Sequence, residues 1–489
     1  MEKMYLCCQK GIYMKRMQLW MLAAILMTIC GAMNAGAQIQ RPEGFHDRYT
    51  LGQVVVLSRH NIRSPLSGPN SALGRITPHE WYAWSSAPSE LSLRGGALET
   101  TMGQYFRKWL VSEGLMQENH LPAEGTMRFY ANSMQRTIAT AQYFSSGMLP
   151  VANVGIEQHY DLGTMDPVFT PKLTVVSDSY RERALQQIAD LFGGGSMAGI
   201  GQKVADNFAL MEKVLDMEQS VACQQGDTCA FKTDDTVVVL ELDKEPGMKG
   251  GLKLGCSVSD ALVLQYYEEA DDAKAGFGHQ LKLADWEKIS AVKDWYCDVL
   301  FTAPLVAINV AHPLLQEILA ELKTAGRQFT FLCGHDSNIG SVLAALGAGD
   351  YTLPDAIESK TPIGSKLVIE KWIGEDGQVY AALNLCYQSV DQLRHLQLLT
   401  LENPPTVYSV KLEGLTANED GLYLLSDLEA RLEERIAQYD DLLTSISGPT
   451  RQADEEHTST ARIYRMDGTP ATDDTRGVVI QEKQKVVRK

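Results

Sequence analysis

Gln53-Val54-Val55-Val56-Leu57-Ser58 runs without a break into Arg59-His60-Asn61-Ile62-Arg63-Ser64-Pro65. The first part is a short β-branched apolar run, as expected of a strand buried on both faces of a parallel sheet. The second part sets two guanidinium groups and an imidazole within five residues. In open α/β sheets ligands bind beyond the carboxyl ends of strands, so charge at this point reads as chemistry. Arg59 and Arg63 would repel one another unless an anion lay between them, and the arginine fork matches phosphate oxygens. A solvated turn is the plain alternative; the apolar flanks argue against it.

The same design recurs downstream. Arg128-Phe129-Tyr130-Ala131-Asn132 reads as a strand, followed by Ser133-Met134-Gln135-Arg136-Thr137 and a helical segment through Ala141 and Phe144. Arg136 then sits near a helix start, where free backbone amides also favour an anion. Gln328-Phe329-Thr330-Phe331-Leu332-Cys333 is a third core strand, stopping at Gly334-His335-Asp336-Ser337-Asn338 before the apolar helix Ile339 to Leu346. A helix cap by Asp336 or Ser337 would account for the acid but not for the histidine. Three strand ends thus offer Arg59, His60, Arg63, Arg136, His335 and Asp336. That set fits phosphoryl transfer from a monoester, in which the catalyst chiefly positions the group and neutralises its oxygens. An imidazole can attack phosphorus, and a carboxylic acid can protonate the leaving alcohol. The arginines supply the positive charge, so the expectation is no cofactor and no metal.

The rest of the chain frames this reading. It has 489 residues, 44 Lys+Arg against 61 Asp+Glu, and a formal charge of −17, which speaks against a nucleic-acid partner. With 45% hydrophobic and 21% charged residues, the composition is that of a globular protein large enough for two or three domains, or one α/β domain with an insertion. Residues 1–37 read as a signal peptide: Lys15 and Arg16 precede the apolar run Leu19 to Ile29, and Ala35-Gly36-Ala37 has the small-x-small cleavage form. Met14 is a plausible true start, which would make 1–13 a misassigned extension. The mature chain is therefore expected outside the cytoplasm, periplasmic or secreted, and no later stretch is expected to span a membrane. In an oxidising compartment Cys223 and Cys229, flanking a polar turn, are the pair expected to bond, contributing about 2–3 kcal/mol. The other mature-chain cysteines read as buried core thiols, and no spacing suggests a zinc site built on cysteines.

Arg59-His60-Asn61-Ile62-Arg63-Ser64-Pro65 resembles the Arg-His-x-x-Arg-x-Pro signature of the histidine acid phosphatase family, the second branch of the histidine phosphatases, and His335-Asp336 resembles its second motif. Further stretches, among them Leu93-Arg94-Gly95-Gly96, Gly163-Thr164-Met165-Asp166-Pro167, Leu264-Gln265-Tyr266-Tyr267-Glu268 and Thr361-Pro362-Ile363-Gly364, are similar to the glucose-1-phosphatase group of that family. The resemblance runs from about Gly44 to about Leu425. It implies an α/β fold, a phosphoglycerate-mutase-like doubly wound sheet with a mostly helical inserted domain: residues 38–170 and 300–425 catalytic, 171–299 inserted. It also implies His60 as nucleophile, Asp336 as proton donor, and Arg59, Arg63, Arg136 and His335 as the phosphate-binding set. Leu66 and Glu245 would shape the substrate side, Glu245 as a gate; core packing and an exposed turn are their plain alternatives.

The implied partner is a small phosphorylated substrate, a sugar phosphate or, as the alternative, an inositol polyphosphate. Acids in the insertion such as Asp234, Asp235, Glu241 and Asp243 offset its basic residues and favour the smaller ester. A non-catalytic sugar-phosphate-binding protein is a further alternative, which would need neither His60 nor Asp336. Residues 426–489 read as an amphipathic helix over Asp427 to Ser445, a polar linker and short strands. The family's cysteine pair near this end has no counterpart here.

Overall fold

The computed structural model describes residues 41–68 and 71–446, together with short strands between 463 and 488. The expected leader of residues 1–37 and the linker of 448–458 lie outside the described residues. In chain order the strands are β1 (Tyr49–Arg59), β2 (Met127–Ala131), β3 (Val237–Val239), β4 (Gly247–Lys249), β5 (Phe329–Gly334), β6 (Lys366–Gly374), β7 (Val379–Tyr387), β8 (Thr406–Ser409) and β9 (Tyr423–Leu424). The principal helices are α1 (Leu93–Ser112), α2 (Gln135–Met148), α3 (Asp178–Gly193), α4 (Gly251–Glu268), α5 (Leu283–Phe301), α6 (Pro304–Lys323), α7 (Asp336–Leu346) and α8 (Leu425–Ile446).

The main sheet runs β2-β5-β1-β6-β7-β8, with β9 paired to β7. β1 and β2 flank β5 in parallel, whereas β6, β7, β8 and β9 join antiparallel. The fold is α/β as the strand pattern implied. β1 begins earlier than the apolar run because its first turns pair with the far end of β6.

Alternation along β1 explains why its core is apolar throughout. Val54 and Val56 pack with Phe106 and Phe144 of α1 and α2, while Val55 and Leu57 point to the other face, among Leu314 and Ile318 of α6 and Val342 of α7. Both faces are covered, so no polar residue is needed until the strand ends. α1 and α2 cross at backbone distance: a Cβ on Gly103 would stand 2.1 Å from the carbonyl oxygen of Phe144, and one on Gly147 2.1 Å from that of Thr100. Only glycine allows that approach.

Between α2 and α6 the chain builds helices α3, α4 and α5, shorter turns, and the β3–β4 hairpin. Their core includes Tyr180, Ile188, Phe208, Leu262, Trp286 and Ile289, and it also takes in Ile62 and Leu98 from the sheet side. α6 joins the two cores, with Val306 and Val310 toward the helices and Leu314, Leu315, Ile318 and Leu322 toward the sheet. Among the described residues α6 alone is long and apolar enough to cross a membrane, and 56% of that stretch is buried within the protein. The amphipathic helix expected over Asp427 to Ser445 is α8, starting at Leu425 and burying Leu428 and Leu432.

By its contacts the chain divides after Leu443. The second unit holds β10 (Ile463–Arg465), β11 (Pro470–Ala471), β12 (Gly477–Gln481) and β13 (Gln484–Arg488), an antiparallel sheet in the order β11-β10-β12-β13.

Candidate active site

Parallel pairing aligns the three motifs. Arg59 lies opposite Gly334, and Ala131 opposite Cys333, so β1, β5 and β2 all end at one edge. The backbone N–H of His60 donates to Gly334 (3.0 Å) and that of Asn132 to Cys333 (2.9 Å). His60 and His335 therefore leave adjacent strands side by side, ring centroids 5.5 Å apart.

His60 is 4% exposed, and its Nδ1 lies 2.8 Å from the carbonyl oxygen of Asn61. A carbonyl can only accept, so Nδ1 carries the proton and Nε2 keeps its lone pair. Asn61 is held to that task. Its Nδ2 donates to Glu99 Oε2 (2.8 Å), its Oδ1 accepts from the N–H of Ile62 (2.8 Å), and its own N–H donates to Thr140 Oγ1 (3.2 Å). Glu99 is balanced in turn by Lys366, Nζ to Oε1 2.7 Å, both fully buried. Burial, then Arg136, Arg63, His335 and Arg59, keep His60 well below the ordinary histidine value, so the ring is neutral.

Around it stand the arginines. Arg59 donates through Nη1 to Glu358 Oε1 and to the carbonyl of Thr361, both at 2.5 Å. Arg63 donates to Asp260 Oδ2 (3.0 Å) and Arg136 to Ser89 Oγ (3.0 Å). In each of the three the Nε–H is buried with no partner in the protein. Buried donors are ordinarily satisfied, so three orphans around one imidazole indicate a site shaped for an anion. Burial and the neighbouring Arg63 bring even Arg136 down to about 10.

His335 directly follows β5 and takes the cap position of α7, with its N–H donating to Asn338 Oδ1 (2.8 Å). The expected cap by Asp336 or Ser337 is thus displaced by one residue, and Asp336 is the first helical residue. Asn132 Oδ1 accepts from the N–H of Asp166 (2.9 Å), so its amide Nδ2 faces His335 Nε2, 2.7 Å away. That contact makes Nε2 an acceptor and puts the ring proton on Nδ1. Burial, then Arg136, lower His335 to about 3.

No motif in the chain points to the groups around Asp336. Lys293, from α5, places Nζ 2.8 Å from Asp336 Oδ2 and 3.5 Å from Glu358 Oε1, and Arg59 Nη2 stands 3.6 Å from the same Asp336 oxygen. Burial alone would raise Asp336; Lys293 and Arg59 outweigh it and hold the carboxyl well below its ordinary value. Lys293 lies in a helix whose charges alternate with apolar residues, and Glu358 in an irregular segment, so neither carries a local signature.

Leu66 is 61% exposed, which excludes core packing, and makes no polar link to the cluster. Glu245 lies in the turn between β3 and β4, its residue as a whole exposed; the protein packed near its carboxyl raises it, with Arg136 lowering it and Asp336 raising it. Cys223 and Cys229 are bonded, as expected. Cys333 and Cys386 are buried, but Cys256 and Cys297 are only half-buried, a correction to the core reading: these thiols feel Lys293 and Asp336.

An anion cradle at the carboxyl edge of an α/β sheet, holding two neutral imidazoles beside the carboxyl group of Asp336, defines a phosphomonoester-processing site. The pattern of the histidine phosphatase superfamily, branch 2, matches residues 50–399. Glucose-1-phosphatase of Salmonella typhimurium (strain LT2) is 35% identical over 404 residues, 81% of this chain and 95% of that enzyme. Phytase AppA of Escherichia coli (strain K12) is 27% identical over 381 residues, 74% of this chain and 87% of that enzyme. The solved Hafnia alvei phytase in complex with myo-inositol hexakis sulphate superposes with a TM-score of 0.72 at 25% identity, covering 81% of this chain and 98% of that one. The chain belongs to the histidine phosphatase superfamily, branch 2. It is a phosphoric monoester hydrolase of the histidine acid phosphatase type.

Proposed function

We propose that the protein is an exported, glucose-1-phosphatase-like enzyme that hydrolyses sugar phosphates through a phosphohistidine on His60. The observation that carries this is the neutral His60 ring, with Nε2 free, among three buried guanidinium groups whose Nε–H donors have no protein partner. Arg59, Arg63, Arg136 and His335 hold the phosphoryl oxygens. His60 Nε2 forms a bond to phosphorus as the ester P–O bond breaks, and Asp336 gives its proton to the departing oxygen. Water then attacks the phosphohistidine, Asp336 takes up a proton, and the P–N bond breaks to release phosphate.

Lys293 and Arg59 keep Asp336 ionised before substrate arrives, so the proton has to come in with the ester. A phosphate monoester loses its second proton near pH ~6, and the monoanion can hand that proton to Asp336 as it docks. Lys293 acts as a positioning residue, orienting the carboxylate and setting when it is protonated.

Two features favour a small ester over a polyphosphate. Asp260 sits among the site arginines, and outlying cations are matched by acids: Lys172 with Asp243 (3.6 Å), Arg181 with Asp178 (2.8 Å), Lys244 with Glu241. The likeness to phytases supports inositol polyphosphate as the second reading. The deciding measurement is kcat/KM for glucose 1-phosphate and for phytate on one preparation. Preference for the sugar ester with an alkali-stable, acid-labile ³²P label on His60 in alkali-quenched digests supports the proposal; preference for phytate replaces the substrate, and an unlabelled His60 removes the mechanism. Leu66 and Glu245 fall on the substrate side in this reading, and Glu245→Ala should change KM more than kcat.

A further inference from the structure

Away from the three strand ends, three segments distant in sequence converge on one oxygen. His79 Nε2 lies 2.7 Å from Asp216 Oδ2, and His279 Nε2 lies 3.1 Å from the same atom. The three donor atoms all fall within 4.8 Å of one another. Each side chain is between 27% and 29% exposed, so the group is set into the surface with one side open to water. The phosphatase chemistry uses none of them, and two imidazoles on one carboxylate oxygen exceed what a simple hydrogen-bonded tie requires.

The surroundings hold that arrangement. Asp216 and Phe277 both adopt left-handed backbone, φ +47° and +54°, unfavourable for residues with a Cβ and maintained by the fold around them. The His79 ring stacks on Phe277, centroids 5.0 Å apart and planes within 10°, and Trp81 meets Phe277 edge-on at 5.1 Å. The imidazole is thereby fixed with Nε2 toward Asp216, and neither His79 Nδ1 nor His279 Nδ1 has a protein partner among the described contacts. A tetrahedral zinc ion with bonds of about 2.0–2.1 Å separates its ligand atoms by roughly 3.3 Å. The two separations from Asp216 are close to that and the third lies within 4.8 Å, so a small shift would admit the ion.

We propose that His79, Asp216 and His279 form a divalent transition-metal site of the zinc type, with two imidazole nitrogens, one carboxylate oxygen and water from the open side. On binding, the hydrogen bonds to Asp216 give way to metal–ligand bonds, and each ring carries its proton on Nδ1. The role is structural. His79 belongs to the stretch between the signature and α1, Asp216 and His279 to the helical insertion. That same stretch carries Ser89, which accepts from Arg136, and Arg75, which pairs with Asp227 in the disulfide loop. An ion here fastens the wall that supports Arg136 without touching the reacting atoms.

The test uses the full mature chain, stripped with a chelator and titrated with Zn²⁺ by calorimetry and with Co²⁺ by absorption. One Zn²⁺ per chain should bind with Kd of about 1 μM or tighter, and Co²⁺ should give the intense visible bands of tetrahedral coordination. Zn²⁺ at about 100-fold over Kd should raise Tm by roughly 3 °C. The double variant His79→Ala/His279→Ala should lose binding, and Asp216→Asn, which keeps the shape and a hydrogen-bonding group, should bind at least about 10-fold more weakly. p-Nitrophenyl phosphate turnover of the wild type should change by less than about 2-fold whether or not Zn²⁺ is bound, since the proposed reacting groups include no metal. Absence of Zn²⁺ binding at 100-micromolar concentration, or equal affinity in wild type and Asp216→Asn, overturns the site and leaves a hydrogen-bonded clamp; a double variant that does not fold leaves Asp216→Asn to decide.

Discussion

At the scale of single residues, the site is a set of opposed electrostatic demands. His335 and His60 are kept neutral by burial and by the arginines, His335 at about 3. In the unfolded chain an imidazole titrates near ~6.5, so below that pH the unfolded state binds more protons and folding stability drains as pH falls toward ~3. For His335 the loss is on the order of 3 kcal/mol by pH 4. The urea midpoint should therefore fall steeply between pH 7 and 4, and less steeply in His335→Asn; parallel slopes in the two proteins would contradict it. Asp336→Asn should slow esters of poor leaving alcohols at least about 100-fold while sparing p-nitrophenyl phosphate, whose leaving group needs little protonation. Removing the ammonium 2.8 Å from Asp336 by Lys293→Met lets that carboxyl titrate at higher pH. The alkaline limb of kcat, set in the bound complex where Asp336 holds the proton, should then move up by about one unit, whereas a purely structural lysine would change the height of the profile and not its position.

Elements position these residues through contacts that involve no catalytic group. α1 and α2 bring Glu99, Thr140 and Arg136 to the strand ends, and they can do so only because Gly103 and Gly147 let their backbones meet. Gly103→Ala should destabilise the protein by about 1–3 kcal/mol, read from denaturant unfolding, with the turnover of the folded fraction within about 2-fold of wild type. Loss of turnover without loss of stability would mean the helix crossing has been misjudged. β5 contributes in another way: parallel pairing with both β1 and β2 carries three separate motifs to one edge, and the order β2-β5-β1 makes them neighbours.

For the whole molecule, charge and architecture act at different ranges. A net charge of −17 repels a polyanion at long range, but salt screens it beyond about 10 Å, and the buried arginines act inside that distance. Raising ionic strength should therefore favour phytate relative to glucose 1-phosphate, measured as the ratio of kcat/KM. Turnover should persist in EDTA, even where the chelator lowers Tm through the His79–Asp216–His279 group; activity abolished by EDTA and restored by Mg²⁺ would assign the chemistry to a metal.

The chain by itself determined what local order can encode. The run from Val54 to Leu57, apolar because both faces are covered, ends at Arg59 because a strand that leaves the sheet can expose charge. The same logic marked Arg136, His335 and Asp336, and the polar turn between Cys223 and Cys229 marked the disulfide. Only the tertiary structure decided the protonation of those groups. Glu99 and Lys366 fix Asn61, Asn61 fixes the His60 tautomer, and Lys293 reaches Asp336 from a helix of the insertion. Such effects depend on distance and burial in space, since a Coulomb interaction falls off with separation through the protein and is indifferent to separation along the chain.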